Sequence, residues 1–167
     1  LANNDPPATD GLPPLRIWID ADACPVAIKQ ILFRTAQRLQ VEAVLVANQT
    51  MRVPRSPYLR VITVPDGPDV ADDRIAESVN TGDVVVTGDI PLAARVVAAG
   101  GTAIGVRGEL LDDATVHDRL AARDLMDELR SAGIETKGPK PLTPKDVQTF
   151  ANTLDRTLTR SLRKRGS

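Results

Sequence analysis

Between Leu15 and Val106 short apolar runs alternate with stretches of helical periodicity, and this alternation restricts the chain to an α/β fold. LRIWID (Leu15–Asp20) is an apolar run that ends in an acid and reads as a first strand. Pro25 stands at a good first-turn position, and Ile28, Ile31, Leu32, Thr35, Ala36 and Leu39 recur at helical spacing, predicting a helix from Pro25 to Gln40. VEAVLVA (Val41–Ala47) is the second strand and Leu59–Val64 the third, with a loop over Asn48–Pro57 between them. Pro65-Asp66-Gly67-Pro68 is turn chemistry. A helix follows over Asp69–Asn80, with Ala71, Ile75 and Val79 on its buried side, and Gly82 stops it. DVVVT (Asp83–Thr87) is a fourth strand whose continuous valines predict burial on both faces. Pro91 opens another helix, which ends at Gly100-Gly101, and Thr102–Val106 is the fifth strand. Such alternation predicts a mostly parallel sheet covered on both faces. Beyond it the chain turns helical, with one helix over Asp113–Ser131 and a capped start at Thr143-Pro144-Lys145-Asp146 for a last helix toward Leu162.

The length of 167 residues suits one domain with arms: a flexible leader over 1–14, a domain over 15–162 and a basic tail over 163–167. Aromatics are only 2% of the chain while hydrophobic residues are 42%, so the core must be aliphatic. The formal net charge of −1 hides an asymmetry. Arg156, Arg160, Arg163, Lys164 and Arg165 crowd the last twelve residues without an acid among them, leaving the remainder net acidic. An acidic, metal-binding body with a basic end suits contact with a polyanion; a solvated, frayed tail is the plainer alternative. One cysteine, Cys24, cannot form an internal disulfide, which fits a cytoplasmic location. No apolar run approaches a membrane span, and the proline-rich first fourteen residues do not form a signal peptide.

The acids carry the functional signal. Ligands of parallel α/β sheets bind beyond the carboxyl ends of the strands. Asp20 and Asp22 follow the first strand, Asp66 and Asp69 the third, and Asp89 the fourth. Asp69, Asp72 and Asp73 are spaced i, i+3, i+4, which places them on one helix face. Carboxylates gathered this way repel, and Mg²⁺ or Mn²⁺, which take oxygen ligands, would relieve the conflict. Each acid taken singly also reads as a cap or turn residue: Asp22 for the first helix, Asp69 for the next. His117 and Cys24 stand alone, which disfavours zinc. Cys24 lacks a nearby base and reads as a small buried thiol.

In these same stretches the chain resembles the YaiI/YqxD family, small bacterial proteins grouped with PIN-like domains. The resemblance runs through IWIDADACPVAIKQILFRTAQR (Ile17–Arg38), LVANQTMRVP (Leu45–Pro54), DVADDRIAE (Asp69–Glu77) and DVVVTGDIPLAARV (Asp83–Val96). It continues through RGELL (Arg107–Leu111), RLAARDLMDELRSAGI (Arg119–Ile134) and GPKPLTPKDVQTFANTLDRTL (Gly138–Leu158), covering residues 15 to 158. It implies a three-layer α/β/α sandwich of the PIN-like kind, with a C-terminal helical extension. It also implies strand-end acids that bind Mg²⁺ or Mn²⁺ and hydrolyse phosphodiester bonds, of RNA rather than DNA, and a possible pairing into homodimers. Carried over by position, Asp20 is the first-strand acid, Asp22 its neighbour, Asp72 the helix acid and Asp89 the acid after the fourth strand, with Asp69 in a matching stretch. Departures are Asp73 for an expected Asn, Gly88 for an expected Ala, and Asp146-Val147 for Asp-Arg, which would remove a contact to the last helix.

The resulting expectation is a metal-dependent nuclease in which Asp20, Asp72 and Asp89 hold the ion and Asp22 or Asp69 orients its shell. Phosphate cations would come from Lys29, Arg34, Arg52, Arg55 and Arg107, with Asn48 and Gln49 as hydrogen-bonding partners or as plain loop residues. Because most acids lie on the proposed metal edge, nucleic acid is expected to bind poorly without divalent cation. Two alternatives stand beside this reading. A haloacid dehalogenase-like phosphatase also begins strand-D-x-D, but Cys24 replaces its Ser or Thr and no second acid closely follows Gly88-Asp89. A non-catalytic RNA-binding module would keep the fold without turnover.

Overall fold

The computed structural model describes residues 13–136, 138 and 140–165. Six strands form one sheet: β1 (Arg16–Asp20), β2 (Glu42–Ala47), β3 (Leu59–Thr63), β4 (Val84–Val86), β5 (Thr102–Ile104) and β6 (Leu110–Leu111). Five helices pack on it: α1 (Val26–Leu39), α2 (Val70–Ser78), α3 (Ile90–Ala98), α4 (Val116–Ser131) and α5 (Pro144–Arg165). The spatial order is β3-β2-β1-β4-β5-β6, parallel except for the last pair. The chain therefore builds outward from β1 in one direction through β3, then returns to the other side of β1 to lay down β4. That reversal opens a crevice between the carboxyl ends of β1 and β4, where open α/β sheets bind their ligands.

The pleat sorts side chains between two helix layers. Ile17, Ile19, Ala43, Leu45, Val84 and Val86 face α1 and α5 in one core, with Ile28, Leu32, Phe150, Leu154 and Leu158. Trp18, Val44, Val46 and Val85 face the opposite layer, with Ile75 of α2 and Leu92 and Val96 of α3. A third cluster ties α3 and β5 to the start of α4 through Ala93, Val97, Ala103, Leu111 and Val116. The architecture is the three-layer α/β/α arrangement expected of the chain.

The elements depart from expectation in three places. Strand β6 is antiparallel to β5, and its two leucines are too few to show a period of two. Helix α4 begins at Val116 rather than Asp113, because the Asp112 carboxylate accepts the Ala114 N–H in a local turn. Helix α5 continues past Leu162 to Arg165, whose guanidinium donates to the carbonyls of Pro13 and Thr81. The expected leader lies outside the described residues except for Pro13 and Pro14, and residues 166–167 of the expected tail do as well.

Helix α5 runs down one face of the sheet from its carboxyl edge to its amino edge. Its first half is seated on Gly108, which has a φ of +87° and meets the helix backbone so closely that a Cβ there would lie 2.7 Å from the Thr149 carbonyl carbon. Phe150, Leu154 and Leu158 then fill the core beneath it. Phe150→Ala is expected to cost about 3–5 kcal/mol of unfolding free energy, the usual penalty for emptying a buried aromatic site. Urea denaturation followed by circular dichroism measures it, and a loss below about 1 kcal/mol would mean that α5 is not part of the core.

Candidate metal centre

The crevice between β1 and β4 is lined from three directions. Asp20 is the last residue of β1, and its position continues the alternation of Trp18, toward the layer that holds α2 and α3. Asp72 lies in the first turn of α2. Asp89 is the N-cap of α3, where its Oδ1 accepts the Leu92 N–H at 2.9 Å. The cap reading and the site reading of Asp89 are thus both true: one carboxylate oxygen satisfies the helix end while the group stays in range of Asp20 and Asp72.

These carboxylates disturb one another. Burial, then the charges of Asp89, Asp20 and Asp69, push the Asp72 carboxyl up to about 6, and it lies within hydrogen-bonding reach of Asp89. Burial, then Asp22 and Asp89, raise Asp20, against a lowering by the Thr87 hydroxyl. Thr87, 2% exposed, links the two strand ends: its Oγ1 lies 3.5 Å from Asp20 Oδ2 and accepts the Asp89 N–H at 3.0 Å. The sequence reading passed over this threonine, although its place at the end of a buried valine run and two residues before Asp89 is the signal that could have found it.

The donor set is oxygen only, which matches a hard divalent cation and excludes a zinc-type N/S site. Among the described residues no three Asp, Glu, His or Cys side chains stand in the spacing of a closed metal cage. The residues fit a hard cation in chemistry and charge.

The remaining candidates divide. Asp22, exposed in a 3-10 turn over Ala21–Ala23, accepts the backbone N–H of Asn48 at 2.8 Å and caps no helix. Asn48 also donates its side-chain amide to Asp66 Oδ1 at 3.0 Å, so the loop after β2 is fastened to two acids of the edge. Asp69 occupies the N-cap position of α2 with a φ of +63° and no side-chain cap bond. Because it precedes the helix in this left-handed conformation, helical spacing does not carry it onto the Asp72 face. Asp69 is still close enough for its charge to raise the Asp72 carboxyl, while Asp73 pairs with Arg95 at 2.6 Å. Gln49, Arg52 and Arg55 are exposed in the loop that leaves β2 at the carboxyl edge and returns to the amino end of β3. Lys29 lies near the start of α1, within electrostatic reach of Cys24. Arg107 bonds Asp146 at 2.5 Å and the Lys140 carbonyl, holding the start of α5 to the β5–β6 turn. Cys24 is buried; burial pushes its thiol up to about 12, against Lys29 and with Asp20, so it is an inert thiol.

A stability test follows from the sign of these shifts. A carboxyl raised in the folded protein favours folding most below its unfolded pKa and loses that contribution as pH rises through its folded value. For Asp72 that window runs from about 4 to about 6. Without divalent cation, Asp72→Asn should therefore raise unfolding free energy at pH 7.5 and have little effect at pH 4.5. The gain should be about 0.5–1 kcal/mol, since solvent screens this half-exposed group. Urea unfolding in EDTA at the two pH values checks it, and destabilisation at pH 7.5 would contradict the repulsion.

Residues 18–160 match the family model described as "Uncharacterized BCR, YaiI/YqxD family". The chain is 52% identical over 151 residues to a UPF0178 protein of Hydrogenovibrio crunogenus, covering 90% of this chain and all of that one. It is 54% identical over 144 residues to a UPF0178 protein of Aeromonas hydrophila, covering 86% and 96%. A UPF0178 protein of Xanthomonas oryzae pv. oryzae is 55% identical over 145 residues, covering 87% and 90%. No helix among the described residues is long and apolar enough to cross a membrane.

Proposed function

The chain belongs to the YaiI/YqxD family, and we propose that it is a divalent-metal-dependent nuclease that hydrolyses phosphodiester bonds, those of RNA foremost. The observation that supports this reading is the meeting of Asp20, Asp72 and Asp89 at the crevice between β1 and β4, with two of the three carboxyls held above their ordinary range. Asp20, Asp72 and Asp89 are the residues that would hold Mg²⁺ or Mn²⁺. When bound, such an ion supplies Lewis-acid neutralisation of the phosphate and lowers the pKa of water. Asp22 and Asp69 stand at the rim to orient water. Thr87 holds Asp20 and the Asp89 backbone in fixed relation. Asn48, Gln49, Arg52, Arg55 and Lys29 supply hydrogen bonds and positive charge to the phosphates on either side of the scissile bond. A non-catalytic RNA-binding module is the second reading, favoured by the lack of a closed three-ligand cage among the described residues.

Calorimetric titration of Mn²⁺ into wild type and Asp20→Asn/Asp89→Asn, beside cleavage of an end-labelled RNA, separates the two. Saturable binding and metal-dependent cleavage that both vanish in the double variant are expected of the nuclease. RNA binding that persists in both proteins without cleavage under any metal is the signature of the module.

Thr87→Val removes one hydroxyl and keeps the shape of the side chain. Loss of a group that orients a ligand costs about 10-fold or more in metal affinity, and that weakening of Mn²⁺ binding is expected here with the fold intact. Unchanged affinity would place Thr87 outside the site.

A further inference from the structure

Among the described residues, six cations line two hollows on the surface where α1 and α5 lie side by side. Both helices start at the carboxyl edge of the sheet and run to its amino edge. Between them is a groove of about 780 Å³, walled by Arg34 and Arg38 of α1 and by Asn152 and Asp155 of α5. A second hollow shares Asp155 and continues along α5 past Arg156, Arg160, Arg163 and Lys164. Among the described residues Asp155 is the only acid that lines either hollow, and it is paired with Arg38 at 2.7 Å. Arg34, Arg156, Arg160 and Lys164 are exposed, and none forms an ion pair with a carboxylate among the described residues. Arg34 lies in the first hollow and Arg156, Arg160 and Lys164 in the second; cations left unpaired along adjoining hollows repel each other, and a polyanion laid over them removes that repulsion.

We propose that this α1–α5 seam is a docking track for the phosphodiester backbone of a nucleic acid, separate from the acidic crevice. On α5 the cations follow i, i+4 and i+8 through Arg156, Arg160 and Lys164, a row with a step of about 6 Å that follows a chain of phosphates. Arg34 lines the neighbouring hollow, which meets the row at Asp155, and adds a cation from α1 beside it. Asn152 and Gln37 line the same groove and can donate to phosphate or sugar oxygens. Among the described residues neither hollow is lined by an aromatic ring for stacking, so the track holds backbone and reads no sequence. The upper end of α1, with Lys29, lies on the edge that holds Asp20 and Asp22, which lets one strand pass from the seam into the crevice. The inference gives the partner class of the nuclease reading a second surface. It also amends the expectation that binding needs divalent cation: the crevice would need one, and the seam would not.

The test is fluorescence anisotropy of a labelled single-stranded RNA in EDTA, over a salt series, with the full chain. Arg34→Glu/Arg156→Glu/Arg160→Glu should bind about tenfold or more weakly and lower the slope of log affinity against log salt by about two to three. Arg34→Lys/Arg156→Lys/Arg160→Lys should keep both, which guards against a folding artefact. Equal affinity and slope in wild type and the Glu variant would overturn the proposal. So would binding of phosphatidylserine vesicles, but not RNA, through the same residues. Asp20→Asn/Asp89→Asn is read alongside. If that variant and wild type both fail to cleave yet bind through the seam, the nuclease reading falls and the seam stands. If wild type cleaves and the Glu variant binds as wild type does, the seam alone falls.

Discussion

The acidic crevice depends on β1 being unable to move. The strand is hydrogen-bonded on both sides, Ile17 and Ile19 are locked into one core, and Trp18 into the other. Its lower end is tied by a buried carboxylate. Asp83, fully buried, accepts the Arg16 backbone N–H at 3.1 Å, the Trp18 indole N–H at 3.0 Å and the Asn80 N–H at 2.9 Å. Burial pushes the Asp83 carboxyl up, and these three donors oppose it. An aspartate in that position is tolerable only because the backbone of β1 and the turn before β4 are both held where they can donate. The same contact that makes Asp83 affordable fixes the register of β1 against β4, and with it the place of Asp20 at the other end. A site mounted on a strand held at both ends keeps its geometry better than one mounted on a loop.

Asp89 shows how a residue can serve fold and site together. A helix N-cap needs an acceptor facing the first N–H groups, and a carboxylate offers two oxygens. Oδ1 caps α3. Asp72, pressed by burial and by the charges of Asp89, Asp20 and Asp69, takes up a proton more readily than a free carboxyl.

Much of this was legible from local pattern. The alternation of Trp18 with Ile17 and Ile19, the run of valines in β4 and the periodicity of α1 each give a burial direction without reference to the rest of the chain. Acids at three strand ends were legible for the same reason, since parallel strands share one carboxyl edge. What could not be read was pairing at a distance. Nothing local says that Asp73 meets Arg95, that Arg107 meets Asp146, or that Asn48 bridges Asp22 and Asp66. Spacing placed Asp69 beside Asp72 and Asp73, but spacing assumes a helix, and Asp69 stands one residue before it with a positive φ. The basic residues at the end of the chain read as a tail because charge runs are usually solvated. Leu154 and Leu158 beneath them, together with Arg165 at its carbonyls, make that stretch a helix wall instead.

The separation of charge on the molecule has a consequence of its own. Helix α5 has 22 residues and so measures about 33 Å, and its basic half lies toward the amino edge while the acids lie at the carboxyl edge. At physiological ionic strength the screening length is about 8 Å, so the field of the acids fades well short of the lower seam. A polyanion there is attracted by the arginines without paying the repulsion of the crevice. At low salt the two fields overlap, and the acids oppose approach to the upper seam while the arginines favour the lower. Binding through the seam should then be weighted toward its far end, away from the acids, until a divalent cation neutralises the crevice. A cation at the edge would in that way extend the track rather than create it, drawing an already docked strand toward Asp20, Asp72 and Asp89.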